Sequence, residues 1–302
     1  MAVTLRQMEV FVAIAHHGNV TRAAAEVFLS QSAASMALSE MEKQLGGNLF
    51  DRQGKRLLVN ERGRALLPRA QEVLARVQEI EELFGDHEGR LAGVLKIGAS
   101  STIGNYLIPR IFGDFVHAHP ETRLSLDVGN TERVVSEVQR FHVDLGFIEG
   151  FCHDQAIETI PWERDQLVVF ASPNHPLAQQ AEISAADLSE VNWILRERGS
   201  GTREVFETAI AGKVEDLNLF LELGHTEAIK QAVEAGLGIS CLSRLTIARA
   251  LQLGVLVQLP TPFLNLERRF SILLHKDKYR TEVLQAFLAF CQNALLPSTA
   301  GG

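Results

Sequence analysis

The chain is poor in cysteine, and its cysteines are widely separated. Only Cys152, Cys241 and Cys291 occur in 302 residues, and none of them forms a C-x-x-C motif. A sparse, odd-numbered set argues against a disulfide framework and for a reducing compartment. We expect three packing residues, because free cysteine commonly behaves as a small buried hydrophobe. A redox role for Cys152 is the open alternative.

The chain also lacks any long apolar run. No stretch of about 18 uncharged apolar residues occurs, so no membrane span is expected. The first ten residues, MAVTLRQMEV, include Arg6 and Glu9 and do not have the pattern of a signal peptide. The expected location is therefore the cytoplasm. A length of 302 residues predicts two or three domains rather than one compact core.

A third absence is net positive charge, which by itself argues against a nucleic-acid partner. The formal net charge is −8, but it is unevenly spread along the chain. Residues 1–66 contain eight Lys and Arg against six Asp and Glu, a balance of +2. The remaining residues contain 21 against 31, a balance of −10. This asymmetry is compatible with a small DNA-facing head on an acidic body.

Motifs of enzymes are scarce. Neither a Walker loop nor a G-x-S-x-G nucleophile elbow occurs. The stretch GLGISC at 236–241 begins like a dinucleotide fingerprint, but Cys241 stands where glycine is needed for close helix packing. His16 and His17 lack partners at a metal-ligand spacing, which predicts a solvated helix end. We therefore expect no enzyme, no cofactor and no metal site.

Three short helices are predicted at the N-terminus. In TLRQMEVFVAIAHH, residues 4–17, apolar side chains recur at helical spacing, Thr4 is the expected N-cap and Gly18 ends the helix. The Ala-rich segment NVTRAAAEVFL follows, and then SQSAASMALSEMEKQLG at 30–46. Two short helices joined by a tight turn indicate a helix-turn-helix. An ordinary helical bundle is the alternative.

The third helix begins with short polar side chains, which suits a surface that approaches DNA closely. Serine and glutamine reach phosphates and base edges without holding the backbone away. The segment NLFDRQGKRLLVN at 48–60 has apolar flanks around a polar tip, which predicts a two-stranded wing. The expected DNA-contacting residues are Thr21, Arg22, Ser30, Gln31, Ser32, Ser35, Arg52 and Lys55.

A longer helix is predicted over 61–84. Its apolar residues recur with spacings of 4, 3, 4, 3 and 4, a heptad seam formed by Leu66, Ala70, Val73, Val77, Ile80 and Phe84. A lone helix cannot bury such a seam, so a partner chain is expected; packing against the chain's own body is the alternative. Pro68 lies in the second turn, where it is tolerated or kinks the helix. The Gly-rich segment GDHEGRLAG at 85–93 predicts a hinge.

The last two hundred residues alternate strand and helix patterns. VLKIGAS at 94–100 predicts a strand, and STIGNYLIPRIFGDFVHAHP predicts one following helix. RLSLDVG, VDLGFIEG, QLVVFASP and RRFSILLHK are further strand-like segments. Repeated β-α units predict a mostly parallel sheet architecture, and the length predicts two lobes with a cleft between them.

Residues 4–52 resemble the N-terminal winged helix-turn-helix of LysR-type transcriptional regulators. The matching motifs are LRQMEVF, AAAEV, SQSAAS, LSEMEKQLG and LFDR. The resemblance continues through the linker helix and the α/β region and spans nearly the whole chain. One departure is Met36 and Ala37, where many members carry a basic residue after the second serine. This departure concerns base preference rather than DNA binding.

The resemblance implies an α/β fold with an all-α head. It implies a winged helix-turn-helix at 1–60, a dimerisation helix and hinge at 61–92, and a two-lobed regulatory domain at 93–302. That domain would have the shape of a type 2 periplasmic binding protein, with lobe I at 93–163 and 267–302 and lobe II at 164–266. Promoter DNA, homodimers or homotetramers, and a small effector held between the lobes are the implied partners.

Two loops that enter helices predict where an anionic effector binds. GASSTIGNYLIP places Ser100, Ser101 and Thr102 at a strand end and helix start, where hydroxyl and N–H groups form an anion site. Simple capping by serine is the alternative. The second loop, ILRERGSGTREVFE at 194–207, contains Ser200 and Gly201. The guanidinium groups of Arg196, Arg198 and Arg203 bracket that loop, and a surface turn with solvated charges is the alternative.

Three further residues complete the predicted effector site. By resemblance, Thr202 contacts the effector from the opposite lobe. Glu149 leaves a strand near the expected hinge, where its carboxylate accepts a hydrogen bond from a ligand or pairs with an arginine. His225 precedes the helix TEAIKQAVEAG. As for Glu149, contact with the ligand and pairing within the chain are both open for His225.

The identity of the effector rests on resemblance alone. ASSTIGNYLIP, DLGFIEG, WILRERGSGTRE and GLGISCLSR are most similar to the branch of the family near sulfur-metabolism regulators. A sulfite- or sulfate-like anion is therefore the first choice, and aromatic or dicarboxylic acids are the alternative. A solute-binding transport protein is the competing class, but it needs an export signal that MAVTLRQMEV does not supply.

Overall fold

The computed structural model describes residues 3–53, 56–83, 91–214 and 217–293. Lys55, Phe84 and most of the predicted hinge lie outside the described residues. The chain divides into two compact units, one made of residues 1–86 with 140–142 and the other of 87–139 with 143–302. Among the described residues, no helix combines the length and apolar character needed to cross a membrane.

The N-terminal unit begins with three helices, α1 (Leu5–His17), α2 (Val20–Glu26) and α3 (Gln31–Leu45). As predicted, Thr4 caps α1, where its hydroxyl accepts a hydrogen bond from the N–H of Gln7. Gly18 and Gly46 end α1 and α3 in the left-handed conformation. This conformation is cheap for glycine because it has no Cβ, so the chain can turn sharply between helices.

The predicted wing is confirmed. Strands β1 (Phe50–Gln53) and β2 (Arg56–Val59) pair antiparallel, with Phe50 opposite Val59. The three helices and the wing share one core, which includes the fully buried Val10, Phe11, Ile14 and Met41. Burial of this apolar surface is the main force holding the small head together.

Helix α4 (Glu61–Leu83) follows the wing and contains Pro68 without a break in the helix. Ala70 of the predicted seam packs into the core of the head. Val73 and Ile80 of the same seam are 39% and 57% exposed. The first turns of the seam therefore pack against the chain's own body, whereas the later turns present apolar side chains outward.

The second unit begins with the strand β3 (Gly93–Ser100) and the helices α5 (Ser101–Tyr106) and α6 (Ile108–Ala118). Strand β4 (Thr122–Gly129), helix α7 (Thr131–Gln139) and strand β5 (Leu145–Glu149) follow. β3 pairs in parallel with both β4 and β5. The prediction of a single helix after β3 is wrong. The helix is interrupted at Leu107, because Pro109 cannot continue α5 but is well tolerated in the first turn of α6.

Strand β6 (Ile157–Ala171) carries the chain from the first lobe into the second. The second lobe contains α8 (Ala185–Ser189), β7 (Trp193–Arg196), α9 (Gly201–Ile210), β8 (Leu219–Leu223) and α10 (Thr226–Glu234). Strand β9 (Ser240–Ser243), helix α11 (Arg244–Gln252) and strand β10 (Val257–Gln258) complete it.

Strand β11 (Glu267–His275) returns to the first lobe, where helix α12 (Glu282–Asn293) covers the sheet. β11 pairs antiparallel with β5 and along β6, and β6 pairs antiparallel with β9 and β10. The sheet is therefore mixed, not mostly parallel as predicted. β6 and β11 cross between the lobes in opposite directions and therefore pair antiparallel. The first half of β6 was not predicted to be a strand.

Candidate functional site

The predicted loops of the two lobes meet at the carboxyl ends of parallel strands. Ser100 ends β3 of the first lobe, and Arg196 ends β7 of the second, which pairs in parallel with β8. Arg196 Nη2 lies 3.5 Å from the hydroxyl oxygen of Ser101. Carboxyl ends of strands are the usual ligand-binding edge of α/β sheets, so this meeting point is the candidate effector cleft.

Arg196 is a buried arginine at this meeting point that retains one unpartnered nitrogen. Its side chain is 2% exposed, and its Nε and Nη2 donate to the two carboxylate oxygens of Glu197 at 2.8 and 2.9 Å. Its Nη1 is buried and has no hydrogen-bond partner among the described residues. A buried guanidinium nitrogen without an acceptor is costly, so this atom is suited to binding an anion.

Two buried serine hydroxyls share this property. Ser100 and Ser200 are the N-cap residues of α5 and α9, but neither side chain caps its helix. Both hydroxyl oxygens are buried without a hydrogen-bond partner in the described parts of the chain. Simple capping, the alternative for the first loop, therefore does not describe Ser100, and an exposed surface turn, the alternative for the second loop, does not describe the buried Ser200. Ser101 donates to the carbonyl of Gly129 at 3.1 Å, and Thr102 is buried beside it.

Two cavities open next to this group. The larger, of about 980 Å³, is lined by Ser101, Arg133, Glu197 and His225 together with residues of α5 and α10. The smaller, of about 490 Å³, is lined by Ser200, Arg198, Cys152 and residues of α7 and α9. Residues of the loop 197–200 line both cavities, so this loop can contact a ligand bound in either of them.

Arg203 is buried but already paired. Its guanidinium donates to Glu207 at 2.7 Å, to Glu222 and to the carbonyl of Arg196 at 3.0 Å. Burial alone would lower the pKa of Arg203, but these acidic partners raise it above its ordinary value. Arg203 therefore fixes the position of the Arg196 backbone.

Glu149 pairs with an arginine, which is one of its two predicted alternatives. The partner is Arg268 of β11, whose Nη2 donates to Glu149 Oε2 at 2.8 Å. Arg268 also donates to Asp165 Oδ2 at 2.6 Å and to the hydroxyl of Thr202 at 3.0 Å. One buried guanidinium thus ties both crossing strands to β5 and to the start of α9.

Sequence patterns did not indicate that Arg268 and Asp165 belong to this buried cluster. Asp165 is buried, and its other oxygen accepts a hydrogen bond from Ser243 at 2.7 Å. Burial raises the pKa of the Asp165 carboxyl, although Arg268 and Ser243 act in the opposite direction. The sequence has one signal for these two residues: charged side chains directly precede the apolar stretches in ERDQLVVF and ERRFSILL. The same pattern is typical of solvated strand ends.

Gly201 lies where the two lobes touch. Its N–H donates to the Thr131 hydroxyl at 3.2 Å, and that hydroxyl donates to the carbonyl of Glu149 at 2.7 Å. A Cβ placed on Gly201 would lie 1.6 Å from the carbonyl oxygen of Glu149. Glycine is therefore required here for close backbone approach, rather than for an unusual dihedral angle.

A second contact between the lobes lies at the larger cavity. The Tyr106 hydroxyl of α5 donates to Glu227 of α10 at 2.7 Å. Burial and the neighbouring carboxylate raise the pKa of Tyr106. Burial would raise the pKa of Glu227, but hydrogen bonds from Lys230 and Tyr106 lower it overall. Neither residue was predicted, because 121 positions separate them in the chain.

Six of the eight predicted DNA-contacting side chains lie at the surface of the N-terminal unit. Thr21, Arg22, Ser30, Gln31 and Ser32 are exposed and Ser35 is partly exposed. Ser30 caps α3 through its hydroxyl, which accepts from the N–H of Ala33 at 3.2 Å. Arg52 belongs to β1, whereas Lys55 lies outside the described residues.

His16 and His17, which the sequence predicts at a solvated helix end, lie beside one acidic side chain. Glu26 at the end of α2 contacts His17, and its carboxylate lies 3.9 Å from His16 Nδ1. One ligand atom from each of the three residues falls within 4.8 Å of the others. The fold brings the acidic residue to the end of α1, which no spacing in the sequence indicated.

Comparison with known families decides the identity of this architecture. Residues 5–64 match the family described as bacterial regulatory helix-turn-helix protein, lysR family, and residues 88–296 match the LysR substrate binding domain. This chain belongs to the LysR family. It is a LysR-type DNA-binding transcriptional regulator with an effector-binding domain, and its relatives are regulators rather than enzymes.

Three proteins illustrate what this chain is similar to in sequence or in fold. It is 46% identical over 297 residues to the uncharacterized HTH-type transcriptional regulator YeiE of Escherichia coli K12, covering 98% of this chain and all of that one. A full-length OxyR variant of Pseudomonas aeruginosa covers 99% of this chain and 100% of that one at 22% identity, with a TM-score of 0.75. The regulatory domain of Synechocystis CcmR, in complex with 2-PG, covers 66% of this chain and 96% of that one at 32% identity, with a TM-score of 0.62.

Proposed function

We propose that this LysR-type regulator senses a small anion bound between the loops that begin α5 and α9. The observation that carries the proposal is the buried Nη1 of Arg196, which has no acceptor within the described part of the chain. The unpartnered hydroxyls of Ser100 and Ser200 supply two further donors at the helix starts. Ser101, Thr102 and His225 complete the proposed effector site from the first lobe and from α10.

Glu149, Gly201 and Thr202 affect effector binding indirectly, because they fix the position of the two lobes. Glu149 and Thr202 are hydrogen-bonded to Arg268, and Gly201 is packed against the backbone of Glu149. These contacts hold α9, and therefore Ser200 and Arg196, at a fixed distance from β3. Sub-ångström positioning of donors is what gives a small anion site its selectivity.

A sulfite- or sulfate-like oxyanion is the first candidate for the ligand. One guanidinium nitrogen and two hydroxyls suit a compact anion with several oxygen acceptors. A small carboxylate or phosphate-bearing acid is the second candidate, because the related CcmR domain, at 32% identity, occurs in complex with 2-PG. The cavity of about 980 Å³ beside the donors would admit such a larger molecule.

The DNA-binding surface is formed by the start of α3, by Thr21 and Arg22 of α2, and by Arg52 and Lys55 of the wing. The start of α3 lies in the major groove, and the flanking residues hold phosphates. The exposed seam of α4 joins two chains in a dimer, and pairs of dimers form a tetramer in the cytoplasm. Effector binding shifts the population of lobe arrangements, and this changes the spacing of the DNA-binding heads along the promoter.

The effector site is tested by removing hydroxyls that have no partner. Ser100→Ala and Ser200→Ala should leave the melting temperature of the free protein nearly unchanged, because no hydrogen bond is lost. Both variants should lose at least tenfold in affinity for the anion that stabilises the wild type in a panel of sulfite, sulfate, phosphate and small carboxylates. Ser240→Ala removes a buried and unpartnered hydroxyl from strand β9 rather than from a helix start and is the matched control.

The outcome separates the two ligand candidates. Stabilisation by sulfite or sulfate alone supports the sulfur oxyanion, and stabilisation by carboxylates alone supports the second candidate. Wild-type affinity in both serine variants would contradict the proposed site.

The DNA-binding head is tested separately. Ser32→Ala combined with Arg52→Ala should abolish the gel shift of DNA from upstream of the gene, and Arg110→Ala on α6 is the control.

A further inference from the structure

The exposed face of α3 carries one large apolar side chain. Gln31, Ser32, Ser39 and Lys43 are exposed along this face, and Met36 among them is 72% exposed. Ala34, Leu38 and Met41 are buried on the opposite face. Met36 is absent from the hydrophobic cluster that holds the head together, so packing within the described chain does not explain it.

The same face offers no cation where base edges would be read. From Ser30 to Glu42 the helix contains neither lysine nor arginine, and Lys43 is the first basic residue. Recognition of guanine in the major groove usually uses a bidentate arginine or lysine. The first three turns of α3 therefore lack the side chains that select guanine, whereas Gln31 retains the amide that pairs with adenine.

We infer that Met36 reads the C5-methyl group of a thymine in the major groove. That methyl group is the only apolar feature that the four standard bases present there. Met36 lies one helical turn after Ser32, on the face bounded by Ser35 and Ser39, so it enters the groove together with the proposed DNA contacts. The inference rests on the proposed role of α3 and specifies a chemical group for which this helix selects.

Burial of the thioether chain against the methyl supplies the selectivity. The flexible side chain of methionine adapts to a small apolar target. Loss of one buried methyl group corresponds to a decrease in affinity of about 3- to 10-fold. The remaining exposed side chains of this face are polar and gain little from the methyl group, so the effect should depend on Met36.

The test removes the methyl group from the DNA and the side chain from the protein. The wild-type protein first selects a duplex from a randomised pool, and each thymine of that synthetic site is then replaced by 2′-deoxyuridine. At one thymine in each half-site, the replacement should weaken wild-type binding about 3- to 10-fold. In Met36→Ala the same replacement should change affinity less than about twofold, whereas Ser39→Ala should respond like the wild type.

The results distinguish this inference from the proposed function. Failure of the wild type to enrich any duplex would contradict the DNA interface itself. Enrichment without a methyl-sensitive thymine, or equal sensitivity in Met36→Ala, would overturn the role of Met36. Met36→Ala that weakens binding to thymine and uracil duplexes by the same factor would assign Met36 to the DNA backbone instead. Met36→Leu should retain methyl sensitivity, and equal melting temperatures confirm that all variants are folded.

Discussion

Arg268 and Glu149 form an ion pair across 2.8 Å in which each side chain is only 2% exposed. Arg268 lies on the strand that returns from the second lobe, and Glu149 lies at the end of a strand of the first. The same guanidinium donates to Asp165 and Thr202, so it is hydrogen-bonded to two buried carboxylates and joins the start of α9, next to Ser200, to both crossing strands.

Removal of this guanidinium should strongly destabilise the regulatory domain. Arg268→Met leaves Glu149 and Asp165 buried without a counter-charge, and we expect a loss of about 3–5 kcal/mol in the free energy of unfolding. Arg280→Gln removes the exposed partner of Glu158 and should cost at most about 1 kcal/mol. Urea denaturation followed by circular dichroism measures both. A loss in Arg268→Met no larger than that of the control would show that the buried pair is dispensable.

The raised pKa of Asp165 predicts a pH-dependent difference from Asp165→Asn. A carboxyl whose folded pKa exceeds its unfolded value favours folding most strongly at low pH. This contribution is lost as the pH rises from the unfolded pKa through the folded pKa. The melting temperature of Asp165→Asn relative to the wild type should therefore increase from acid to neutral pH, as measured by calorimetry. A difference that falls with pH would contradict the raised pKa.

Two glycine substitutions should have opposite effects on stability. Gly201→Ala places a Cβ 1.6 Å from the carbonyl oxygen of Glu149, so the lobes must separate at a cost of about 1–3 kcal/mol or more. Gly113→Ala, in the middle of α6, meets no atom within 4 Å and should stabilise by about 0.5–1 kcal/mol. Chemical denaturation checks both, and equal stability of Gly201→Ala and wild type would exclude the close contact.

The three cysteines should differ in reactivity. Cys241 and Cys291 are buried, and burial raises the pKa of Cys291 to about 12 and also raises that of Cys241. Thiolate is the reactive form, so both should resist alkylation in the folded protein, whereas the partly exposed Cys152 should react. Peptide mass spectrometry after iodoacetamide treatment measures this order. Labelling of Cys241 before Cys152 would contradict it.

The exposed seam of α4 should control oligomeric state. Val73→Glu and Ile80→Glu place charge on the apolar face that the dimer is proposed to bury, and we expect a monomer by light scattering. Glu72→Gln changes an exposed neighbour outside the seam and should retain the wild-type mass. Wild-type mass in both glutamate variants would place the dimer interface elsewhere.

Local patterns were sufficient for the DNA-binding head. Thr4, Gly18 and the polar tip between apolar flanks at residues 48–60 act on neighbours a few positions away. Capping and turn chemistry therefore already specify the helices and the wing. The prediction of one helix after β3 was wrong although the signal was local, because apolar periodicity was followed across Pro109, which marks the first turn of a separate helix.

The effector cleft depended on contacts between distant parts of the chain. The loops at Ser100 and Ser200 were recognisable from the sequence, since serine and glycine before a helix have local meaning. The sequence did not show which buried arginine keeps an unpartnered nitrogen, because Glu197, Glu207 and Glu222 reach the guanidinium groups of Arg196 and Arg203 only after folding. Arg268 meets Glu149 across 119 positions, a distance over which only the packed sheet decides which charges become partners.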